Sequence, residues 1–327
     1  MSSTVRTQII SGHDGVRQAH GIIRDYIRET PVERAHSLEQ GSGEVWLKLE
    51  SHQVTGSFKA RGAAYRVLSL TDAQKLNGIV ACSAGNHALG VAFAAEQAGV
   101  CAKIFVPKEI DQDRLSRLSN FSANVEVIDG GYDECERHAI AVAEREGRVF
   151  ISPYNDPWVI AGQGTIGIEL LPQLPKIEVA LVAVGGGGLI GGVAAYLKAV
   201  NPAIKVVGVS PANSAAMYDA VTGIPGDFSA HLETISDSTA GGVQEGAMTV
   251  DLCRALVDQW ILPEEADIKA AMRYLFYEHR LVVEGAGALA VAAYLREVDR
   301  LKELHCALIV CGGNIDPKKF LSVVAAR

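Results

Sequence analysis

The amino-acid sequence predicts an α/β fold with two open, twisted, mostly parallel sheets and flanking helices. Short runs rich in β-branched residues alternate with longer helical stretches, which is typical of parallel sheets. The chain has 327 residues, which is too long for one small core and favours two domains. Glycine-rich or polar segments follow several predicted strands, at the edge where open parallel sheets bind ligands.

Seven apolar runs are predicted to form strands, because each is short and is bounded by turn-forming or polar residues. In chain order they are residues 78–82, 102–106, 125–128, 149–152, 179–184, 205–210 and 306–311. Between the third and fourth runs, apolar side chains at helical spacing predict a helix over residues 133–146. Asp133, with Glu136 three residues later, predicts its start as a capping box.

The first four strands are expected to form a small domain that is inserted in a larger one. The small domain covers residues 71–154, and the large domain covers residues 1–70 and 155–327. Residues 153–157 are rich in proline, asparagine and aspartate, which favours a crossing between the two domains there.

Composition and charge exclude several classes of function. The formal net charge is −8 and no block of lysine or arginine occurs, so no nucleic-acid partner is expected. The most apolar run, residues 281–295, contains Glu284 and is too short to span a bilayer, so no membrane partner is expected. Residues 1–6 lack the apolar stretch of a secretory signal, which favours a cytoplasmic location.

The cysteines and histidines give no sign of a metal site. The six cysteines lack a CxxC pair, and the nine histidines lack an HxxxH pair. The cysteines are therefore interpreted as reduced thiols.

Lys59 stands at a predicted loop-to-helix boundary, after Ser57 and Phe58. The helix dipole disfavours a positive side chain at this position, which indicates that Lys59 has a functional role. A lysine amine can form a Schiff base with an aldehyde once its pKa is lowered from about 10.4. A solvated lysine near a helix start is the alternative interpretation.

A polar loop follows the first predicted strand and consists of Ser83, Ala84, Gly85, Asn86 and His87. It lies between the carboxyl end of a strand and the amino end of a helix, where ligands bind in parallel sheets. Its N–H groups and polar side chains suit a carboxylate or a ring hydroxyl. The alternative is an ordinary helix cap, with the histidine as a structural hydrogen-bond partner.

A second loop consists of four consecutive glycines, Gly185, Gly186, Gly187 and Gly188, between a predicted strand and a helix. Such a run predicts close approach of the backbone to a ligand, and a phosphate is the natural candidate. The spacing Gly186-x-Gly188-x-x-Gly191 also matches a dinucleotide fingerprint, so a nucleotide-binding protein is an alternative function. The next strand ends at Val209 and Ser210, without the acidic residue that this fingerprint requires.

Together, the lysine, the polar loop and the glycine turn indicate pyridoxal 5′-phosphate. The cofactor aldehyde requires an amine, its phosphate requires clustered N–H groups, and the substrate carboxylate requires a polar loop. Cys311 ends the last predicted strand and would face the same crevice. A buried apolar thiol is the alternative for that residue.

Six separated motifs resemble the serine/threonine dehydratase and serine racemase family, of the fold-type II pyridoxal phosphate enzymes related to the tryptophan synthase β subunit. They are residues 48–50, 55–63, 83–88 and 159–165, together with the tetraglycine run and residues 311–314 in the same order. The resemblance covers nearly the whole chain. It implies that Lys59 carries the cofactor, that Gly185 to Gly188 hold its phosphate, and that Asn86 bonds its ring hydroxyl.

By the same resemblance, Phe58 packs beside the cofactor ring and Cys311 faces the pyridine nitrogen. Ser83, Ala84, Gly85, Asn86 and His87 would bind the substrate carboxylate. The implied reaction is the conversion of a β-hydroxy-α-amino acid, such as L-threonine or L-serine, to a 2-oxo acid and ammonia. A catabolic role and a homodimer are also expected.

Several positions depart from the relatives. The racemases carry serine where this chain has Ala84, so dehydration is favoured and amino-acid racemisation is the alternative. Ser210 and Ala216 stand where metal-binding relatives have carboxylates, so no metal is expected there. Gly241 and Leu89 replace a common aspartate and glutamine, which leaves open a β-hydroxy amino acid bulkier than threonine.

Overall fold

The strands of the computed structural model form two sheets. The model describes residues 12–108, 110, 112–223 and 232–325; residues 1–6, on which the expected location rests, lie outside this range. The first sheet has six strands in the order β1-β2-β10-β7-β8-β9. They are Val32–Arg34 (β1), Val45–Leu49 (β2), Val179–Ala183 (β7), Lys205–Val209 (β8), Gln259–Ile261 (β9) and Cys306–Val310 (β10).

Only β1 and β2 pair antiparallel in this sheet, whereas the other described neighbours run parallel. The central strand β10 places Leu308 beside Leu47 on one side and Leu181 on the other. All three side chains are fully buried, because helices cover the sheet. Parallel pairing brings the carboxyl ends of these strands to one edge.

The second sheet has four parallel strands in the order β5-β4-β3-β6. They are Ile79–Cys82 (β3), Ala102–Pro107 (β4), Asn124–Ile128 (β5) and Val149–Phe150 (β6). All four lie within the segment predicted to form the small domain. The division of the chain into two domains at residues 71 and 155 stays a prediction.

Helices connect and cover the strands of both sheets. In chain order they are His13–Ile23 (α1), Lys59–Leu68 (α2), Asp72–Asn77 (α3), Asn86–Ala98 (α4), Gln112–Leu118 (α5), Tyr132–Glu146 (α6), Pro157–Gln173 (α7), Gly188–Val200 (α8), Ala216–Thr222 (α9), Met248–Leu256 (α10), Glu265–His279 (α11), Gly285–Arg296 (α12), Val298–Leu301 (α13) and Pro317–Val324 (α14). No helix among the described residues is long and apolar enough to cross a bilayer.

The seven predicted strands are confirmed, and their ends differ from the prediction by at most two residues. Three strands were not predicted, namely β1, β2 and β9. Two of them have only three residues, and β2 contains Lys48, which interrupts its apolar pattern although the side chain is fully buried.

The predicted start of helix α6 was wrong. The helix begins at Tyr132, and the N–H of Gly131 donates to the Glu134 carboxylate at 2.7 Å. Glu134, not Glu136, lies three residues after the residue that precedes the helix. Its side chain therefore reaches back to the free backbone donor.

Four charged side chains form what we call the buried ion network: Lys48, Glu50, Arg61 and Glu169. Arg61 contacts both carboxylates, at 2.7 Å to Glu50 and 2.5 Å to Glu169, and Lys48 contacts Glu169 at 2.6 Å. The network joins β2, the turn after it, α2 and α7. It therefore fixes the start of α2, where Lys59 lies.

Candidate active site

Lys59 is the first residue of α2, and the chain just before it is bound to the segment that follows β10. The N–H of Phe58 donates to the Cys311 carbonyl at 3.0 Å, and Ser57 forms an isolated β-bridge with Gly312. These contacts place Lys59 and Cys311 together at the carboxyl edge of the six-stranded sheet, as the sequence predicts.

The amine of Lys59 lies in a protein environment that favours its neutral form. Nζ donates to the Pro153 carbonyl at 2.7 Å and lies 5.2 Å from the centre of the Phe58 ring. Burial of the amine lowers the pKa of Lys59 to about 8, although the nearby Cys311 and Glu284 oppose this shift. A substantial fraction of neutral amine is therefore available slightly above neutral pH.

The four glycines make the turn between β7 and α8. Gly187 has φ +83°, a left-handed conformation that favours glycine. Among the described residues, none of the N–H groups of Gly185, Gly186, Gly187 and Gly188 donates to a backbone carbonyl. Unpaired donors at the amino end of a thirteen-residue helix are suited to a phosphate.

Tyr154 connects the glycine turn to Lys59. A Cβ atom on Gly186 would collide with the Tyr154 ring, and one on Gly188 would lie 3.0 Å from the Tyr154 Cα. Tyr154 directly follows Pro153, whose carbonyl accepts from Lys59. The lysine and the glycine turn therefore border one site.

The polar loop lies between β3 and α4. The Ser83 hydroxyl accepts from the N–H of Gly85 at 3.1 Å, which shapes the turn. The N–H groups of Ala84, Asn86 and His87 have no backbone acceptor among the described residues. A Cβ atom on Gly85 would meet nothing within 4 Å, so the loop faces open space with free donors. This arrangement suits a carboxylate.

His87 is a neutral buried side chain at this site. Its Nε2 lies 2.9 Å from the Ile151 carbonyl, and because a carbonyl only accepts, Nε2 carries the proton. Burial, together with the nearby charge of Lys59, lowers the pKa of His87 to about 3. The side chain therefore anchors the start of α4 to the end of β6 and brings no positive charge to the loop.

Asn86 is the centre of a hydrogen-bonded chain. Its Nδ2 donates to Glu284 at 2.7 Å, and its Oδ1 accepts from Asn314 at 2.6 Å. Asn314 in turn accepts from Arg117 at 2.5 Å, and Glu284 accepts from Ser238 at 3.2 Å. The chain holds the Asn86 side chain in one orientation at the edge of the site.

Glu284 immediately precedes α12 and has 3% of its surface exposed. Burial raises the pKa of its carboxyl to about 7, with a further contribution from Asp237, and the bonds from Asn86 and Ser238 oppose this shift. Cys311 is similarly buried, and burial together with the Glu284 charge raises the pKa of its thiol well above 9.0. The thiol is therefore neutral at physiological pH.

A pocket opens between the polar loop and the helix α5. One wall consists of the loop residues Ala84, Gly85 and Asn86, and the start of α4 adds Leu89. The remaining wall is lined by Arg114, Arg117, Leu118, Ser238, Glu284 and Asn314. We call this cavity the substrate pocket. Another cavity, lined in part by Trp46 and His305, lies at the amino ends of β2 and β10 and contains none of the predicted site residues.

Two buried hydroxyls without partners among the described residues provide independent support for pyridoxal phosphate at this site. The Ser57 hydroxyl, close to Lys59 in the chain, is buried without a hydrogen-bond partner, and so is the Thr249 hydroxyl. Thr249 lies at the glycine turn, where a Cβ atom on Gly187 would be 3.0 Å from its Cβ. Since buried polar groups are normally paired, additional polar atoms of a bound group would satisfy both hydroxyls.

Other ligands are less consistent with the site. Ser210, where a dinucleotide fold requires a carboxylate, donates its hydroxyl to the Val184 carbonyl at 2.9 Å. Within the described ranges, no group of three or more His, Cys, Asp or Glu side chains is placed to hold a metal ion.

The sequence analysis brought together Lys59, the polar loop, the glycine turn and Cys311. It noted Asn314 only as part of a motif, and it missed four other polar residues that line the substrate pocket. These are Arg114, Arg117, Ser238 and Glu284. Glu284 had a usable signal, because a carboxylate at the start of an otherwise apolar helix requires a partner. The two arginines had none, since their partners lie far away in sequence.

Comparison with known proteins shows consistent similarity. The family model "Pyridoxal-phosphate dependent enzyme" matches residues 23–312. The catabolic L-threonine dehydratase TdcB of Escherichia coli K12 is 38% identical over 307 residues, which cover 93% of each chain.

Two solved structures have the same degree of structural similarity. Maize serine racemase superposes with a TM-score of 0.87 at 30% identity, over 96% of this chain and 97% of that one. Threonine deaminase isoform 2 of Solanum lycopersicum superposes with a TM-score of 0.87 at 33% identity, over 95% of this chain and 93% of that one. The fold therefore does not distinguish racemisation from elimination, and that choice depends on the residues of the site.

Proposed function

The chain belongs to the family of pyridoxal-phosphate dependent enzymes, and from this premise we propose that it is an ammonia-lyase acting on β-hydroxy-α-amino acids. L-threonine and L-serine are the representative substrates, and the products are a 2-oxo acid and ammonia. The observation that carries the proposal is the partly neutral amine of Lys59, next to unpaired N–H groups at two loops.

The cofactor would be held by residues from three segments. Lys59 offers the amine for its aldehyde, and Gly185, Gly186, Gly187 and Gly188 offer their N–H groups to its phosphate. Phe58 and Cys311 would border its ring, and Asn86 would bond its ring hydroxyl. When bound there, the cofactor would supply an aldehyde for the amino group of the substrate and an electron sink for Cα.

The residues of the chain would then bind the substrate and move a proton. The N–H groups of Ala84, Asn86 and His87 orient the substrate carboxylate, and the Ser83 hydroxyl and Gly85 keep the loop in shape. Lys59 Nζ removes the proton from Cα, since its lowered pKa lies near the working pH of a general base. The Cβ–O bond then breaks, the hydroxyl takes up a proton and leaves as water, and a Cα–Cβ double bond forms.

Ala84 favours elimination over racemisation. Racemisation requires a second proton donor on the face of Cα opposite the lysine, and the resemblance places that donor at residue 84. In this chain the residue is an alanine that lines the substrate pocket without a hydroxyl. Proton transfer from two sides therefore lacks its donor. A serine/amino-acid racemase is the second candidate, supported by the similarity to maize serine racemase.

The assembly of the protein and the division of the chain into domains are also proposals. We propose a homodimer whose protomers each contain a large domain of residues 1–70 and 155–327 and a small domain of residues 71–154. Sedimentation of the purified protein and limited proteolysis in the 153–157 segment would test these two points.

The function is tested by cofactor capture and a substrate panel. The purified protein should be yellow, and borohydride reduction should add the mass of the cofactor to the peptide that contains Lys59. Incubation with L-threonine, L-serine and L-threo-3-phenylserine should release 2-oxo acid and ammonia in equal amounts. The Lys103→Ala variant is a control that should still be modified at Lys59 and should still turn over the substrates. Lys103 lies in β4 of the four-stranded sheet and pairs with Glu146 at the end of α6.

Two results would contradict the proposal. Formation of D-amino acid without ammonia would establish the racemase instead. A colourless protein that binds a dinucleotide would remove the assignment of cofactor and reaction together.

A further inference from the structure

Arg117 is a positively charged side chain of the substrate pocket that has no carboxylate partner among the described residues. It lies in α5, and its Nη2 donates to the neutral amide of Asn314. In the described part of the chain no carboxylate lies within ion-pair distance of it, whereas Arg114 in the same helix pairs with Asp237 at 2.8 Å. A partly buried guanidinium that bonds only an amide is incompletely compensated, which favours an anionic ligand.

The other charged groups of the pocket do not neutralise Arg117. Asp237 pairs with Arg114 at 2.8 Å and with Lys319 at 3.6 Å, and the carboxyl of Glu284 bonds Asn86 and Ser238. Burial raises the pKa of Glu284 to about 7, so that much of this group is uncharged at neutral pH. Glu284 therefore compensates Arg117 only in part, and its carboxyl bonds Asn86 and Ser238 instead of the guanidinium.

The α-carboxylate of an amino acid does not require this charge. The polar loop already presents the free N–H groups of Ala84, Asn86 and His87 at the amino end of a thirteen-residue helix. Leu89, which lines the pocket beside that loop, offers no polar contact to a β-substituent. A second anion on the substrate would therefore find its partner in α5.

We infer that Arg117 binds a carboxylate on the β-carbon of the substrate, so that the preferred substrate is a dicarboxylic β-hydroxy amino acid of the 3-hydroxyaspartate type. This inference rests on the proposed function and specifies its substrate class. Bidentate pairing of guanidinium with carboxylate gives both the affinity and the geometry for this choice.

The reaction balances for this substrate. The Cα–H and Cβ–O bonds break, a Cα–Cβ double bond forms, and one water leaves. One water then replaces the nitrogen, so that 3-hydroxyaspartate gives 2-oxosuccinate and ammonia without any oxidant or reductant.

The test compares two substrates in the holoenzyme and in the Arg117→Met variant. The wild-type enzyme should have a higher kcat/KM for a diastereomer of L-3-hydroxyaspartate than for L-threonine. In Arg117→Met the ratio of these two values should fall about 10- to 100-fold, since a hydrogen bond to a charged group is lost. Arg117→Lys should restore part of the ratio, and Arg145→Met, an exposed arginine of α6, should leave it as in the wild type.

Binding without turnover gives a second measurement. L-malate has two carboxylates and no amine, and 2-hydroxybutyrate has one carboxylate. Calorimetry should show tighter binding of malate than of 2-hydroxybutyrate to the wild-type holoenzyme, a smaller difference in Arg117→Lys and none in Arg117→Met. If Arg117→Met does not fold, this comparison with Arg117→Lys still decides the matter. Equal ratios in wild type and variant, or equal affinities for the two acids, would overturn the inference.

Turnover of L-threonine in that case would leave the proposed function in place, whereas no turnover of any β-hydroxy amino acid would reject the function itself.

Discussion

Two groups of buried ionisable side chains lie close together in this molecule and differ in how their charges are compensated. The buried ion network contains two cations and two carboxylates in direct contact. We call the second group the catalytic cluster; it consists of Lys59, Glu284 and Cys311, which influence each other's ionisation without a direct ion pair. Arg61 and Lys59 lie two residues apart, at the start of one helix.

Compensation favours the charged forms of Arg61 and Glu169 in the network, whereas burial of Lys48 outweighs its carboxylate neighbours and lowers its pKa. Burial disfavours the charged form of Arg61, but Glu50 and Glu169 outweigh it and raise the pKa of the guanidinium. Burial likewise opposes ionisation of Glu169, and Arg61 and Lys48 nonetheless hold its pKa below 4.5. Groups with such pKa values do not exchange protons near neutral pH, and they contribute structure.

Lack of compensation has the opposite effect in the catalytic cluster. Burial moves the pKa of Lys59 down to about 8 and that of Glu284 up to about 7. Both groups can therefore gain or lose a proton near neutral pH, which acid–base catalysis requires. The same degree of burial thus gives a rigid anchor where charges are paired and a proton-transfer site where they are not.

The largest effect is expected from Lys59→Ala. The variant loses both the amine that captures the cofactor and the group that takes the Cα proton, so kcat should fall at least about 10³-fold. Its free energy of unfolding should fall less than that of Arg61→Met, because in the described part of the chain Lys59 forms no ion pair whose other charge would lose its partner. Steady-state kinetics and denaturant unfolding measure the two quantities. A lysine variant that retains a tenth of the activity would show that Lys59 is not the base.

The second effect is the loss of stability in Arg61→Met. Removal of the guanidinium leaves Glu50 and Glu169 buried without their main partner, which should cost about 3–5 kcal/mol of unfolding free energy. Arg254→Met is the matched control, because Arg254 forms an exposed pair with Asp251 and should contribute less than about 1 kcal/mol. Equal unfolding free energies for the two variants would show that the network is not a structural anchor.

The third effect is the pH dependence of stability in Glu284→Gln. In the wild type, the folded pKa of about 7 lies above the ordinary value of 4.5, so the native state holds a proton that the unfolded state releases. The contribution of this carboxyl is fully present below pH 4.5 and is lost as the pH rises to about 7. Glutamine retains the acceptor for Asn86 and does not titrate.

The stability difference between Glu284→Gln and the wild type should therefore shift in favour of the variant between pH 4.5 and 7, on the order of 3 kcal/mol. Unfolding in urea at several pH values measures it. Of the neighbouring charges, Asp237 raises this pKa and Arg114 lowers it. A difference that does not change with pH would mean that Glu284 ionises normally.

The sequence was sufficient to predict the parts of the site that follow strands. Phe58 and Lys59 excepted, each predicted residue ends or follows an apolar run, and parallel pairing brings such positions to one edge of a sheet. The alternation of strands and helices also predicted two sheets. The edge strands β1 and β9 were too short to give a pattern, and Lys48 obscured β2 because its buried ion partners lie elsewhere in the chain.

The residues that sequence analysis missed are defined by distant contacts. Glu284 bonds Asn86 across 198 positions, and Arg117 bonds Asn314 across 197. A carboxylate or a guanidinium has the same local sequence signal whether it faces solvent or a pocket. Only the packing of α5 and α12 around the polar loop shows that these side chains belong to the site.

The smallest effect is expected from Cys311→Ser, which tests whether a neutral group suffices in the catalytic cluster. The thiol is protonated because burial and Glu284 raise its pKa, and a serine hydroxyl is also neutral at physiological pH. Elimination should therefore continue with kcat within about tenfold of the wild type, since less than one full hydrogen bond to a charged group is at stake.

Cys311→Asp is the contrasting variant, because a carboxylate would add a negative charge next to Lys59 and Glu284 and should raise both of their pKa values. Kinetics across pH 6–9 and the absorbance of the bound cofactor distinguish the two variants. Loss of elimination in Cys311→Ser with the cofactor still bound would show that the thiol itself has a chemical role.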